Sequence, residues 1–355
     1  MSFQEEKRER IKRYILEKIR EDDTEYLKKT MDNFQISITT VKRYIKECLE
    51  LEVLREEMDS VCGYQLVSKE VKYEFNTKER LAEDKIFFEK VRTELPELSK
   101  EAANIWSYSF TEMMNNAIEH SDASRILCTL KKDALYTEIS IVDDGQGIFH
   151  KIRKYLEERG ISADNQDVLA ELYKGKLTTA VESHSGEGIF FTSKLLKAFE
   201  IWSDSCVFTA GGYEKERLIQ SHLIAYYTRV SSIGTMVVMK LENQTKRSIR
   251  EVFDVYAPVK EGFVNTVIPL KDVCLYGEPV ARSQARRIVY RLEEFKHVVF
   301  DCADIEFMGQ GFADEIFRVF QTRHPEVELV VTNANESVAG MIQHAKATLE
   351  NSSSM

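Results

Sequence analysis

The chain has 355 residues, with 49 Lys and Arg against 59 Asp and Glu and a formal net charge of −10. That length accommodates two or three domains with separate cores, and the acidic balance argues against a protein that coats nucleic acid while leaving room for a local DNA-reading face. Six scattered cysteines (Cys48, Cys62, Cys128, Cys206, Cys274, Cys302) form no CxxC pair, which points to reduced, buried thiols in a cytoplasmic protein. No run approaches the length of a membrane span and the first thirty residues are charged rather than signal-like, so no membrane segment is expected.

Residues 1–75 are expected to form a small unit of their own. Ile11, Tyr14, Ile15 and Ile19 recur at helical spacing, a second short helix is expected over 25–31, and Ser37 offers an N-cap for a third. Val53-Leu54-Arg55 and Tyr64-Gln65-Leu66-Val67 read as two strands of a hairpin around Asp59-Ser60. Three helices and a hairpin resemble a winged helix-turn-helix. The resemblance implies that Thr39, Thr40, Lys42, Arg43 and Lys46 face the major groove and phosphates of double-stranded DNA. Glu47, Glu50, Glu52, Glu56 and Glu57 follow directly and would oppose phosphate, so protein docking stands beside DNA contact as a role for this unit.

Residues 76–100 read as a helical connector, with Leu81, Ile86, Phe87 and Val91 at helical spacing and Pro96 beyond them. Next comes Phe110 to Ser121, FTEMMNNAIEHS. As a helix it sets Glu112, Asn116 and His120 on one polar stripe, beside an apolar stripe of Trp106, Phe110, Met113 and Ala117. An amide oxygen at Asn116 suits Mg²⁺, and a carboxylate one turn earlier, at Glu112, suits the deprotonation of a nucleophile. The strand ending at Asp143 alternates, which sets Asp143 on the face of Ile139 and Ile141, at a pocket rather than in water. Asp143-Asp144-Gly145-Gln146-Gly147, Ser185-Gly186-Glu187-Gly188 and Gly234-Thr235 follow in order.

In that order and spacing these motifs resemble the N box and glycine boxes of the GHKL ATPases, the family of gyrase B subunits, MutL, sensor histidine kinases and anti-sigma-factor kinases. The resemblance implies an α/β sandwich over 101–245, with a mixed sheet and helices on one face, binding ATP and Mg²⁺. It makes Asn116 the metal ligand, Glu112 the catalytic base, Asp143 the acceptor of the adenine amino group and Thr235 its neighbour. Gly145 and Gly147 would let the backbone pass close to the nucleotide. Gly186, Glu187 and Gly188 open a helix whose N-terminus would face phosphates. The stretch from Phe149 to His184 matches the ATP lid, with Lys174 or Lys176 offered to the γ-phosphate. The glycine-box helix is expected to run on through Leu196 and Phe199. No histidine precedes His120, which removes the phospho-acceptor that a sensor histidine kinase needs.

Over 258–348 strands and helices alternate with short joints, as in a small α/β domain. The corner Asp301-Cys302-Ala303-Asp304-Ile305-Glu306-Phe307-Met308-Gly309-Gln310-Gly311-Phe312 resembles that of STAS-like domains, the fold of anti-sigma-factor antagonists. Those antagonists carry a phosphorylatable serine here; this chain has Gly309-Gln310-Gly311 and no hydroxyl from Asp301 up to Thr322. Residues 349–355 read as a tail. The whole chain is thus expected to be a multidomain α/β protein: an ATP-driven switch coupling nucleotide state to DNA or to a protein partner or second chain, with a homodimer allowed. A serine/threonine kinase and a non-hydrolysing nucleotide sensor are the alternatives.

Overall fold

The computed structural model describes residues 3–95, 97–176, 187–204, 206–211, 233–274 and 277–352. At the N-terminus, helices α1 (Phe3–Arg20), α2 (Tyr26–Phe34) and α3 (Ile38–Glu50) pack with a two-stranded antiparallel hairpin, β1 (Leu54–Glu56) and β2 (Tyr64–Leu66). Ser37 caps α3, accepting from the Thr40 N–H, as its sequence position predicts. Ile11, Ile15, Val41, Ile45 and Leu54 fill a core that reaches only Leu135 and Tyr136 of the next unit.

The chain then enters a six-stranded sheet earlier than residue 76. Strand β3 (Lys69–Asn76) pairs along its whole length with β4 (Arg125–Lys132). Strand order is β3-β4-β5-β8-β6-β7, with β5 at Tyr136–Asp143, β6 at Ala198–Ser203, β7 at Cys206–Gly211 and β8 at Thr235–Glu242. Every neighbour pair in this sheet is antiparallel. Parallel pairing belongs to the C-terminal sheet, so the two senses are divided between two sheets rather than mixed in one. In β5 and β8 alternate residues are buried, which gives the sheet one face packed under helices.

Those helices are α4, α5, α6 (Ile148–Glu157), α7 (Asn165–Lys174) and α8 (Gly188–Leu195). Helix α4 starts at Glu83–Ile86 and runs on as a π turn, Phe87–Val91, and a 3₁₀ turn, Arg92–Glu94. Helix α5 is Lys100–Asn115, extended by a π turn, Asn116–His120. Leu196 is extended backbone and Phe199 lies on β6, so the helix after the second glycine turn is shorter than its apolar spacing suggests.

After α9 (Ile249–Tyr256) the C-terminal unit builds a parallel sheet in the order β11-β10-β9, from β9 (Asn265–Pro269), β10 (His297–Asp301) and β11 (Glu328–Thr332). Around it lie α10 (Leu270–Val273), α11 (Arg282–Val289), α12 and α13 (Glu336–Ser352). Helix α12 begins at Gln310–Asp314 and continues through Glu315–Phe320 to Gln321–Arg323. Its core is continuous with that of the central sheet: Phe190, Phe191, Phe263, Phe295 and Phe300 belong to one buried cluster. Among the described residues no helix is long and apolar enough to cross a membrane.

Candidate functional site

Helix α5 starts at Ser99, whose Oγ accepts from the Ala102 N–H at 3.1 Å. Its buried side is Ile105, Trp106, Phe110 and Met113, and Glu112, Asn116 and His120 are each half-buried. The α-helical geometry ends just before Asn116. The π turn from there widens the ring of backbone hydrogen bonds, a departure from regular helix that recurs at functional sites.

Asp143 closes β5 and is 5% exposed. Its Oδ1 accepts from the Gly145 N–H at 2.9 Å and the Thr235 N–H at 3.2 Å, while the Thr235 Oγ1 accepts from the Ile148 N–H at 3.1 Å. Burial pushes the Asp143 carboxyl up to about 6, against the pull of those two backbone donors. The ends of β5 and β8 thus meet at one carboxyl, and the start of α6 is tied to it through the Thr235 hydroxyl.

The glycines of this turn are required by the protein's own packing. A Cβ on Gly145 would run into the Ser121 carbonyl, which accepts from the Gln146 N–H at 2.9 Å and so ties the end of α5 to the turn. Gly147 has φ +86° and lies where a Cβ would come 2.6 Å from the Ser203 Oγ. The sequence carries no signal for Ser121 or Ser203; both are contacts between elements far apart in the chain.

At the other end of the site the Glu112 carboxylate fills the space that a Cβ on Gly188 would need. Gly188 is the first residue of α8, so Glu112 sits at a helix N-terminus, where negative charge is favoured. The Tyr108 phenol is held above its ordinary range by burial, then by the charges of Glu112 and Glu187. Burial raises Glu187 as well, with the Lys176 ammonium opposing it. Gly186 lies outside the described residues, as do Thr178, Thr179 and Ser185.

Neither lysine offered to a phosphate stands free. Lys176 donates to the Glu294 carbonyl at 2.6 Å with its ammonium 4.3 Å from the centre of the Phe295 ring. Lys174 is fully buried, pairing with Glu171 at 2.6 Å and donating to the Tyr290 carbonyl at 2.7 Å. Arg291 closes this cluster on Glu171 at 3.0 Å, and Arg287 pairs with Asp167 at 2.8 Å. Helix α7 is therefore fastened to the C-terminal unit. Among the described residues no three His, Cys, Asp or Glu side chains gather as a metal cluster.

On α3, Thr39, Lys42, Arg43 and Lys46 are exposed along one face. Lys46 pairs with Glu50 at 3.6 Å and Arg43 lies over the Tyr44 ring. Thr40 is half-buried and its Oγ1 bonds to the Ser37 Oγ at 3.1 Å, so it serves the helix start. At the corner after β10, a Cβ on Gly309 would collide with the Val280 backbone, and its N–H bonds to the Pro279 carbonyl at 2.9 Å. Gln310 is exposed there.

A search of curated proteins finds no match to the chain. Residues 284–339, which span β10, α12, β11 and the start of α13, match the family described as a STAS-like domain of unknown function (DUF4325). The protein is a multidomain α/β chain that carries a STAS-like domain in its C-terminal part.

Proposed function

We propose that the central unit is a GHKL-type nucleotide site that binds ATP with Mg²⁺ and hydrolyses it, and that the STAS-like domain reads its state. Asp143 carries this reading. A carboxyl kept in a dry wall, with one oxygen already held by two backbone N–H groups, has the chemistry to accept a hydrogen bond from an adenine amino group. Thr235 stands beside it. The start of α8, with Gly188 and Glu187 and the expected Gly186, is the place for phosphates. Glu112, in contact with Gly188, is placed to take a proton from an attacking water at that end. Asn116 would hold Mg²⁺ through its amide oxygen, and the ion when bound would neutralise phosphate charge. The exposed face of α3 with Lys42, Arg43 and Lys46 suits a winged helix on DNA; the acidic hairpin beside it suits a protein.

Calorimetry with ATP and Mg²⁺ tests the site. Asp143→Ala should weaken ATP by about tenfold or more and lose the preference over GTP, the size expected of a charged hydrogen bond left unmade. Unchanged affinity and preference would remove Asp143 from adenine recognition. The pH dependence has a fixed sign. Because the folded-state value is raised to about 6, Asp143 takes up its proton as pH falls through about 6, and ATP affinity should fall there. Stability should move the other way: the ionised, desolvated form costs stability as pH rises from about 4 to about 6, and Asp143→Asn should remove that slope. At saturating ATP, Glu112→Ala should slow single-turnover phosphate release by about 10²–10⁴-fold with binding kept. Transfer of the phosphate to a partner protein instead of water would make the site a kinase.

A further inference from the structure

Strand β3 forms one edge of the six-stranded sheet, and its outer side faces a groove of about 1310 Å³. One wall of the groove is β3 from Lys72 to Asn76, the other is α4, and loop 78–82 closes one end. Five consecutive residues of one strand line it, both faces of the pleat included, so the groove follows the strand's lateral edge rather than one side of it. In an antiparallel ladder alternate residues turn their N–H and C=O groups away from the partner strand. Among the described residues no strand pairs with these outward groups of β3, because β4 takes only the inner side. A strand on one side and a helix on the other is the arrangement in which an extended peptide adds to a sheet, its backbone pairing with the edge and alternate side chains resting on the helix.

The charges around the groove select the occupant. Lys78, Arg80 and Lys85 have no carboxylate partner among the described residues, and Lys90 lies over the Tyr73 ring. Of the acidic groups, Glu74 pairs with Arg125 at 3.7 Å. Asp144 accepts from the Ser124 and Arg125 N–H groups at 2.8 and 2.9 Å and keeps its charge, so Asp144, Glu79 and Glu89 stand against Lys78, Arg80, Lys85 and Lys90. In a chain of net charge −10 this is a local positive surface. A second copy of the chain suits it badly: two grooves related by a two-fold axis would bring these cations face to face.

We propose that β3 and α4 form a docking groove for an extended acidic segment of a partner protein, which binds as a seventh strand. Its floor includes Asp144, the neighbour of Asp143, so an occupant would lie one residue from the wall of the proposed nucleotide site. The proposal does not require that site to bind ATP, and it is tested on the full chain without nucleotide.

The probe is a fluorescein-labelled ten-residue peptide alternating Glu and Thr, with a Lys-Thr peptide of the same length as control. The acidic peptide should raise fluorescence anisotropy on titration, the basic one should not, and the amides of residues 69–76 should gain protection from hydrogen exchange only with the acidic peptide. The triple charge reversal K78E/R80E/K85E, all on the surface, should weaken binding by about tenfold or more while leaving thermal unfolding unchanged. The proposal is overturned by absence of binding, by equal binding of both peptides, by protection elsewhere than β3, or by an affinity indifferent to the charge reversal. A concentration-dependent dimer in sedimentation that disappears in the same variant would give the groove to a second copy and overturn it too.

Discussion

The N-terminal unit meets the central sheet through half-exposed charges and two apolar residues, whereas the C-terminal unit meets it through buried charges and a common core. At the first joint Arg13 pairs with Glu242 at 2.7 Å, with side chains 40% and 25% exposed, Tyr136 donates to Glu17, and Arg20 lies over the Tyr136 ring. At the second, Arg291 pairs with Glu171 at 3.0 Å, with side chains 18% and 3% exposed, the buried Lys174 donates to the Tyr290 carbonyl, Thr266 to the Lys174 carbonyl and Tyr173 to Asp272, and Phe190 packs on Phe263. Exposed pairs contribute about 0–1 kcal/mol each, while breaking one partner out of a buried pair costs about 3–5 kcal/mol. The difference bears on function. Helices α7 and α8 flank the proposed phosphate end, and both are packed into the C-terminal unit, so a shift of either would be transmitted to it. The N-terminal unit has a joint from which it can part.

The largest effects should come from dividing the chain. Removing residues 1–66 should leave the rest folded with its melting temperature within a few degrees. Removing 258–355 should leave a central unit that does not unfold cooperatively, since it uncovers Phe190, against which Phe263 packs. Separate, unperturbed melting of the C-terminal unit in the full chain would break the comparison. Next in size, Lys174→Ala should cost about 3–5 kcal/mol in denaturant unfolding, because it leaves Glu171 buried with a lost partner and a void. Gly188→Ala should cost about 1–3 kcal/mol by overpacking against Glu112, and Glu112→Ala should recover most of it in a double-mutant cycle. Additive effects would mean that the two residues do not meet. Smallest, Arg13→Ala should cost at most about 1 kcal/mol and its effect should shrink with salt.

Much of this arrangement is legible in the sequence, and what is not has physical causes. The Ser37 cap, the alternation that buries Asp143 beside Ile139 and Ile141, and the strand–helix rhythm after residue 258 are local patterns, and local patterns survive folding. The extent of α8 is not legible that way: Leu196 and Phe199 keep an apolar spacing whether the chain continues as helix or turns into a buried strand. Strand β3 reads as the tail of the N-terminal unit because Lys69 to Asn76 alternates charge with Val71, Tyr73 and Phe75, and only its pairing with β4 assigns it to the central sheet. The lysines at the end of α7 and just beyond it show the limit most clearly. Lys174 and Lys176 look like solvated or phosphate-directed cations, and nothing nearby in sequence announces Arg291 or the Glu294 carbonyl, more than a hundred residues on.

Hydrogen exchange on the full chain, with and without Mg·ATP, tests the central claim most directly: that nucleotide binding at the Asp143 site is felt in the C-terminal unit through α7. Protection should change at Asn165–Lys174 together with Arg282–Val289, not in Asp143→Ala, and little over residues 3–50. Changes confined to the neighbourhood of Asp143 and Gly188, with the C-terminal amides indifferent to nucleotide, would contradict it.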